Sequence, residues 1–69
     1  QAAQYLIYAY RLQPENPTLL LNLAVYFDTH QRNRAEARKY YTRFLNMTRQ
    51  NSSMSRNREA VEKRMQALR

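Results

Sequence analysis

There is no cysteine in this chain, no glycine and no tryptophan, and its 69 residues include a single histidine and two prolines. Each absence removes a class of protein. Without cysteine there is no disulfide framework and no thiolate metal centre, and one histidine gives no ligand pair for zinc. Without glycine, the tight hairpin turns that need positive φ lack their usual residue, and so does a phosphate-cradling loop. An all-α fold is the expectation. The longest apolar stretch, Leu19 to Phe27, is broken at Asn22 and falls well short of the roughly 20 residues that cross a bilayer. No secretory pattern opens the chain, and the compartment is left open.

Catalytic chemistry has little material. His30 falls at a helix end, a placement explained by the helix dipole without any role as a base. The five carboxylates are scattered, with no nucleophile and base at a common spacing. The chain is expected to be no enzyme and to need no cofactor or metal.

What is present is helical periodicity. Residues 1–69 form one small domain with barely enough apolar surface to offset the entropy of ordering it. Gln1 opens inside an apolar-periodic segment, so a piece of a longer protein is expected, with a cut apolar face on the first helix that favours self-association. Four helices are predicted, at about 2–13, 17–31, 34–50 and 56–69. In the first, Ala2, Tyr5, Leu6, Ala9 and Tyr10 repeat at the i, i+3, i+4, i+7 spacing of one buried face. It stops before Pro14. Asn16 then caps a second helix with Pro17 at its first position. That helix is apolar nearly all round from Leu19 to Phe27 and should be covered on several sides.

Asn33 and Glu36 have the spacing of a capping box for the third helix. Its apolar set of Ala37, Tyr40, Tyr41, Phe44 and Leu45 repeats the first helix 35 residues later. Asn51, Ser52 and Ser53 form a polar break, and Ser55 is read as the cap of the fourth helix. There a narrow stripe of Val61, Met65 and Leu68, flanked by Ala60 and Ala67, leaves one side wet. Glu59 and Lys63 are placed to pair across one turn.

These residues resemble the tetratricopeptide repeat, a helix pair with the pattern W-x2-L-G-x2-Y, then A-x3-F, then P. Leu20, Leu23, Ala24 and Phe27 are similar to the first-helix part, and Ala37 and Tyr41 to the second. Ala2, Leu6 and Pro14 are similar to the second helix of a preceding unit. The resemblance covers residues 2 to about 50. Gln31 stands where the family has a turn glycine, Phe44 where it has a small residue and Arg49 where it has the closing proline. These departures lead to the expectation that the fourth helix caps the array.

The resemblance implies antiparallel helix pairs of a right-handed α-solenoid, acting as a scaffold for a protein or peptide held in a groove along the second helix. Thr18, Leu21, Asn22, Val25, Asp28 and Thr29 are its implied groove residues. Asn22 would hold a ligand backbone or a neighbouring helix. Leu21 and Val25 replace the Lys and Asn with which chaperone-binding members hold a terminal carboxylate, so no such clamp is implied.

Charge gives the rival reading. The net charge is +7, and residues 32–69 carry eleven of the twelve Lys and Arg. Arg34, Arg38, Lys39, Arg43 and Arg49, with Arg56 and Arg58, could contact nucleic acid or an anionic surface. Spacing places Tyr40, Tyr41 and Phe44 opposite Arg38 and Arg43, which takes the rings away from base stacking. A solvated face is the preferred account.

Overall fold

The computed structural model describes residues 2–68, with burial described for residues 4–68. The expected packing of Ala2 lies outside the residues whose burial is described, and the expected helix end at Arg69 outside the described residues. Within them are four α-helices and no strand: α1 Ala2–Leu12, α2 Pro17–Thr29, α3 Arg34–Met47 and α4 Ser55–Ala67, with a 3₁₀ turn at Ser52–Met54.

The helix starts are set by local chemistry. Asn16, in extended backbone, accepts the N–H groups of Thr18 and Leu19, and Pro17 follows at the first position. Asn33 accepts the Glu36 N–H. Only half of the expected capping box forms, because the Glu36 carboxylate turns to Lys39 at 2.9 Å instead of back to the cap. Ser55 is not a cap. Asn51 caps the 3₁₀ turn instead, and that turn runs directly into α4, whose preceding residue Met54 makes no side-chain cap bond. Nor do Glu59 and Lys63 form an ion pair; the pairs among the described residues are Glu36 with Lys39 and Asp28 with Arg64.

The helix ends come earlier than expected, by two residues in α2 and three in α3. In both places a threonine hydroxyl donates to the carbonyl four residues back, Thr29 to Val25 and Thr48 to Phe44. Side-chain bonds of this kind compete with continuation of the helix. Beyond α2 the His30 and Gln31 N–H groups share the Tyr26 carbonyl. The chain then reverses at Arg32, whose φ of 50° is left-handed. A side chain with a Cβ is unfavourable there by about 1 kcal/mol, so Arg32→Gly is expected to raise stability by about 0.5 kcal/mol after its larger unfolded-state entropy is subtracted. Thermal melts of the two chains check this; a lower midpoint for Arg32→Gly would mean that the turn is unstrained.

The core joins three helices. Leu20 and Ala24 of α2 meet Ala37, Tyr41 and Phe44 of α3 and Val61 of α4, with Leu68 just beyond α4. Ala24 and Ala37, both fully buried, allow α2 and α3 to pack closely along their length. The one buried polar residue among those described is Thr48, bonded as above. Consecutive helices pack on one another, and alternate helices are tied by side chains alone. Tyr10 of α1 meets the Tyr40 ring edge-on at 5.9 Å and takes a hydrogen bond from Arg43 of α3. Asp28 of α2 is bridged to Arg64 of α4. The Cα envelope is 14 Å in its thin direction, as expected for two layers of helices with axes roughly 8–10 Å apart.

In α1 the expected face is half right. Leu6, Ala9 and Tyr10 are half-buried, but Tyr5 is 69 % exposed and shares an outer stripe with Tyr8 and Leu12, each 64 % exposed. The periodicity allowed two apolar faces on this helix, and α2 covers only one.

Candidate functional site

Between α2 and α4 lies a cleft of about 290 Å³, lined by Leu21, Val25, Tyr41, Asn57, Ala60, Val61 and Arg64. Its surface is mostly apolar. Val25 is 41 % exposed, the large apolar side chain that α2 leaves open to water among the described residues. One wall comes from the spacing of Leu21 and Val25, four apart and therefore on one face of α2. The other comes from α4, where Val61 turns into the core and the small Ala60 beside it leaves room.

One end of the cleft is closed by a three-helix polar junction. Arg64 donates from Nε and Nη2 to the two oxygens of Asp28 at 2.6 and 2.7 Å, a bidentate fork. The Tyr41 hydroxyl donates to the same carboxylate at 2.9 Å. The Asp28 side chain is 5 % exposed and that of Arg64 48 %, so the ion pair is buried on one side only. The Arg64 bonds hold the Asp28 carboxyl below its ordinary value of 3.8 against the opposing pull of burial, with the Tyr41 bond adding to the effect. Burial, and then the bond to Asp28, push the Tyr41 phenol above its ordinary 10.0. The bond to Asp28 raises Arg64 in turn.

Of the six groove residues expected on α2, the cleft brings together Leu21 and Val25. Thr18 is exposed outside the cleft, and Thr29 is occupied with the Val25 carbonyl and the His30 ring. Asp28 is committed to Arg64 and Tyr41. Asn22 is exposed and takes no hydrogen bond from a neighbouring helix, so its amide, in water, has no burial to compensate. Sequence reasoning missed the α4 wall of Asn57, Ala60, Val61 and Arg64. The small Ala60 beside the core residue Val61 was the available signal.

The basic residues do not share one face. Arg38 lies on the α4 side with Leu45, Glu62 and Met65. Arg43 lies on the α1 side, 5.5 Å over the Tyr40 ring. Tyr40 is therefore beside Arg43 and not opposite it, as three residues of helix bring them to neighbouring positions. Lys39 approaches the same ring at 5.1 Å while pairing with Glu36. Arg49 donates to Asn46. Arg58 turns inward, with Nε on the Thr48 hydroxyl and Nη2 on the Leu45 carbonyl, both at 3.1 Å. It satisfies an end carbonyl of α3 where a C-terminal glycine motif would otherwise do so. Tyr41 and Phe44 are buried as expected.

His30 stacks on the Tyr26 ring at 5.2 Å. Among the described residues no group of three or more His, Cys, Asp or Glu is placed to hold a metal, and no helix is long and apolar enough to cross a membrane. No family model, curated protein or solved structure matches this chain.

Proposed function

We propose that this chain is a protein-interaction segment of the tetratricopeptide type, in which α1 ends one helix pair, α2 and α3 form the next, and α4 caps it. The observation that carries the binding role is the apolar cleft, with Val25 left 41 % exposed on its α2 wall. Its volume accommodates one or two apolar side chains of a peptide or helix. Supporting the repeat reading are the alternation of helices in two layers, the buried alanines Ala24 and Ala37 between paired helices, and the side-chain ties from each helix to the next but one.

The test is selection from a displayed random peptide library against the chain, followed by measurement of the selected peptides on variants. Val25→Glu places a charge in the cleft without disturbing a buried residue. It is expected to lower affinity at least about tenfold, since burying an unpaired carboxylate opposes binding. Leu21→Glu combined with it should abolish binding. Peptides that bind Val25→Glu as well as the parent chain would remove the cleft from the reading.

A basic module for nucleic acid is the rival, and the division of Arg38 and Arg43 between two sides of α3 speaks against it. Titration of a single-stranded oligonucleotide across a salt series is expected to show no saturable binding. A steep salt-dependent affinity that is lost when Arg38 and Arg43 are both changed to Glu would replace the present reading.

Self-association is proposed to run through the outer stripe of Tyr5, Tyr8 and Leu12, which is exposed. Sedimentation equilibrium is expected to show a concentration-dependent increase in mass that disappears in Tyr5→Lys with Leu12→Lys. A strict monomer at all concentrations would contradict it.

A further inference from the structure

The α2 wall of the cleft, Leu21 and Val25, is uncharged, yet the cleft is not without positive charge. It comes from the other two helices. Arg64 of α4 lines the cleft and keeps nearly half of its side chain in water while its fork grips Asp28. Arg34 is the first residue of α3, and Asp28 lies one position before the end of α2, so the short connection between the helices brings both to the same end of the molecule. Seven residues separate Arg34 from Tyr41, which places them on one face of α3, and the Tyr41 hydroxyl reaches Asp28. The field of Arg34 acts on that carboxylate together with that of Arg64.

The Arg64 guanidinium thus grips the carboxylate, and that of Arg34 acts on it from beyond hydrogen-bond reach. The Arg64 fork satisfies Asp28, and Arg34 is exposed, with no hydrogen bond or ion pair among the described residues. The end of an apolar cleft therefore carries an unbalanced positive charge.

We infer that the cleft selects partner segments in which an apolar side chain is followed closely by a side-chain carboxylate. The apolar group sits between Leu21, Val25, Ala60 and Val61, and the carboxylate meets Arg34 and the outward edge of Arg64. This rests on the interaction reading above and adds the chemistry of the partner. Acidic segments are also drawn to a chain of net charge +7, which speeds encounter at low salt.

The peptide selection supplies the test. Selected sequences are expected to pair Leu, Ile or Phe with a nearby Asp or Glu. Changing that acid to its amide should weaken binding about tenfold, the effect of one well-placed charge-assisted contact. Arg34→Gln should weaken binding similarly and flatten its salt dependence, with a cooperative melt retained because Arg34 makes no hydrogen bond or ion pair among the described residues. Apolar peptides without acidic bias, or equal affinity for Arg34→Gln, would overturn the inference. The cleft reading would survive that result if Val25→Glu still lowered affinity at least about tenfold. Equal binding to Val25→Glu, or no enriched binder, would overturn both.

Discussion

Replacing Phe44 by Ala is expected to abolish cooperative folding. Phe44 is the largest side chain with no exposed surface, and it belongs to the cluster in which α2, α3 and α4 meet. Truncating a buried Phe removes about 3–5 kcal/mol through lost transfer energy and the cavity left behind. A chain of 69 residues holds about 3–10 kcal/mol in total, so the loss takes from about a third to all of it. Thermal melts followed by circular dichroism should lose their sigmoid shape, while Phe44→Leu, which keeps most of the volume, should melt cooperatively at a lower temperature. A cooperative transition in Phe44→Ala within a few degrees of the parent would mean that α4 collapses into the vacated space.

The second large effect is expected at Asp28. Its removal as Asp28→Ala strands the Tyr41 hydroxyl, which is held in a buried ring, and leaving such a donor unpaired destabilises by about 1–3 kcal/mol. In a domain of this size each kcal/mol lowers the midpoint by about 4–8 °C. The Arg64 side is discounted, because a guanidinium half in water rehydrates readily.

The pH dependence follows from the shifts. Asp28 is depressed in the folded chain, so its contribution is complete above the ordinary value of 3.8 and is lost as pH falls through the lower folded value. Tyr41 is raised, so its contribution is complete below 10.0 and is lost as pH rises beyond that. Melting temperature should therefore fall at both extremes. Asp28→Asn should remove the acid part carried by this junction, and Tyr41→Phe the alkaline part. Acid and alkaline limbs that are identical in the variants would show that the junction carries no linked stability.

What the sequence made legible was local. The starts of α2 and α3 follow from Asn16, Pro17 and Asn33, because a cap bonds within three residues. The buried set of Leu20, Leu23, Ala24, Ala37, Tyr41 and Phe44 follows from helical spacing in a chain with little else to bury. Helix ends were harder. In a chain without glycine they are made by threonine hydroxyls and a left-handed Arg32, and none of these has a strong sequence signature. Tyr5 misled because a phenol can face water as readily as core.

The site was legible on one side only. Leu21 and Val25 could be placed on α2, but the opposite wall depends on α4, which docks through contacts remote in sequence. Asp28 and Arg64 lie 36 positions apart, and a lone Asp near a helix end looks the same whether it meets a partner protein or its own chain. Arg58 was equally opaque, because an inward guanidinium and a solvated one have the same spacing.

The attachment of α4 has a mechanical consequence. Apart from Val61, Leu68 and their apolar neighbours, it is anchored by the forks of Arg58 on α3 and Arg64 on α2. A long guanidinium arm can re-aim through several torsions and keep its hydrogen bonds, whereas interlocked apolar side chains must repack when they shift. The two walls of the cleft therefore differ in stiffness: the α2 wall is fixed by its close packing on α3, and the α4 wall yields along the length of two arginines. On the proposed binding role, a ligand of the wrong width would be accommodated by the second wall, and discrimination should depend on charge at the end of the cleft more than on the size of the side chain it admits.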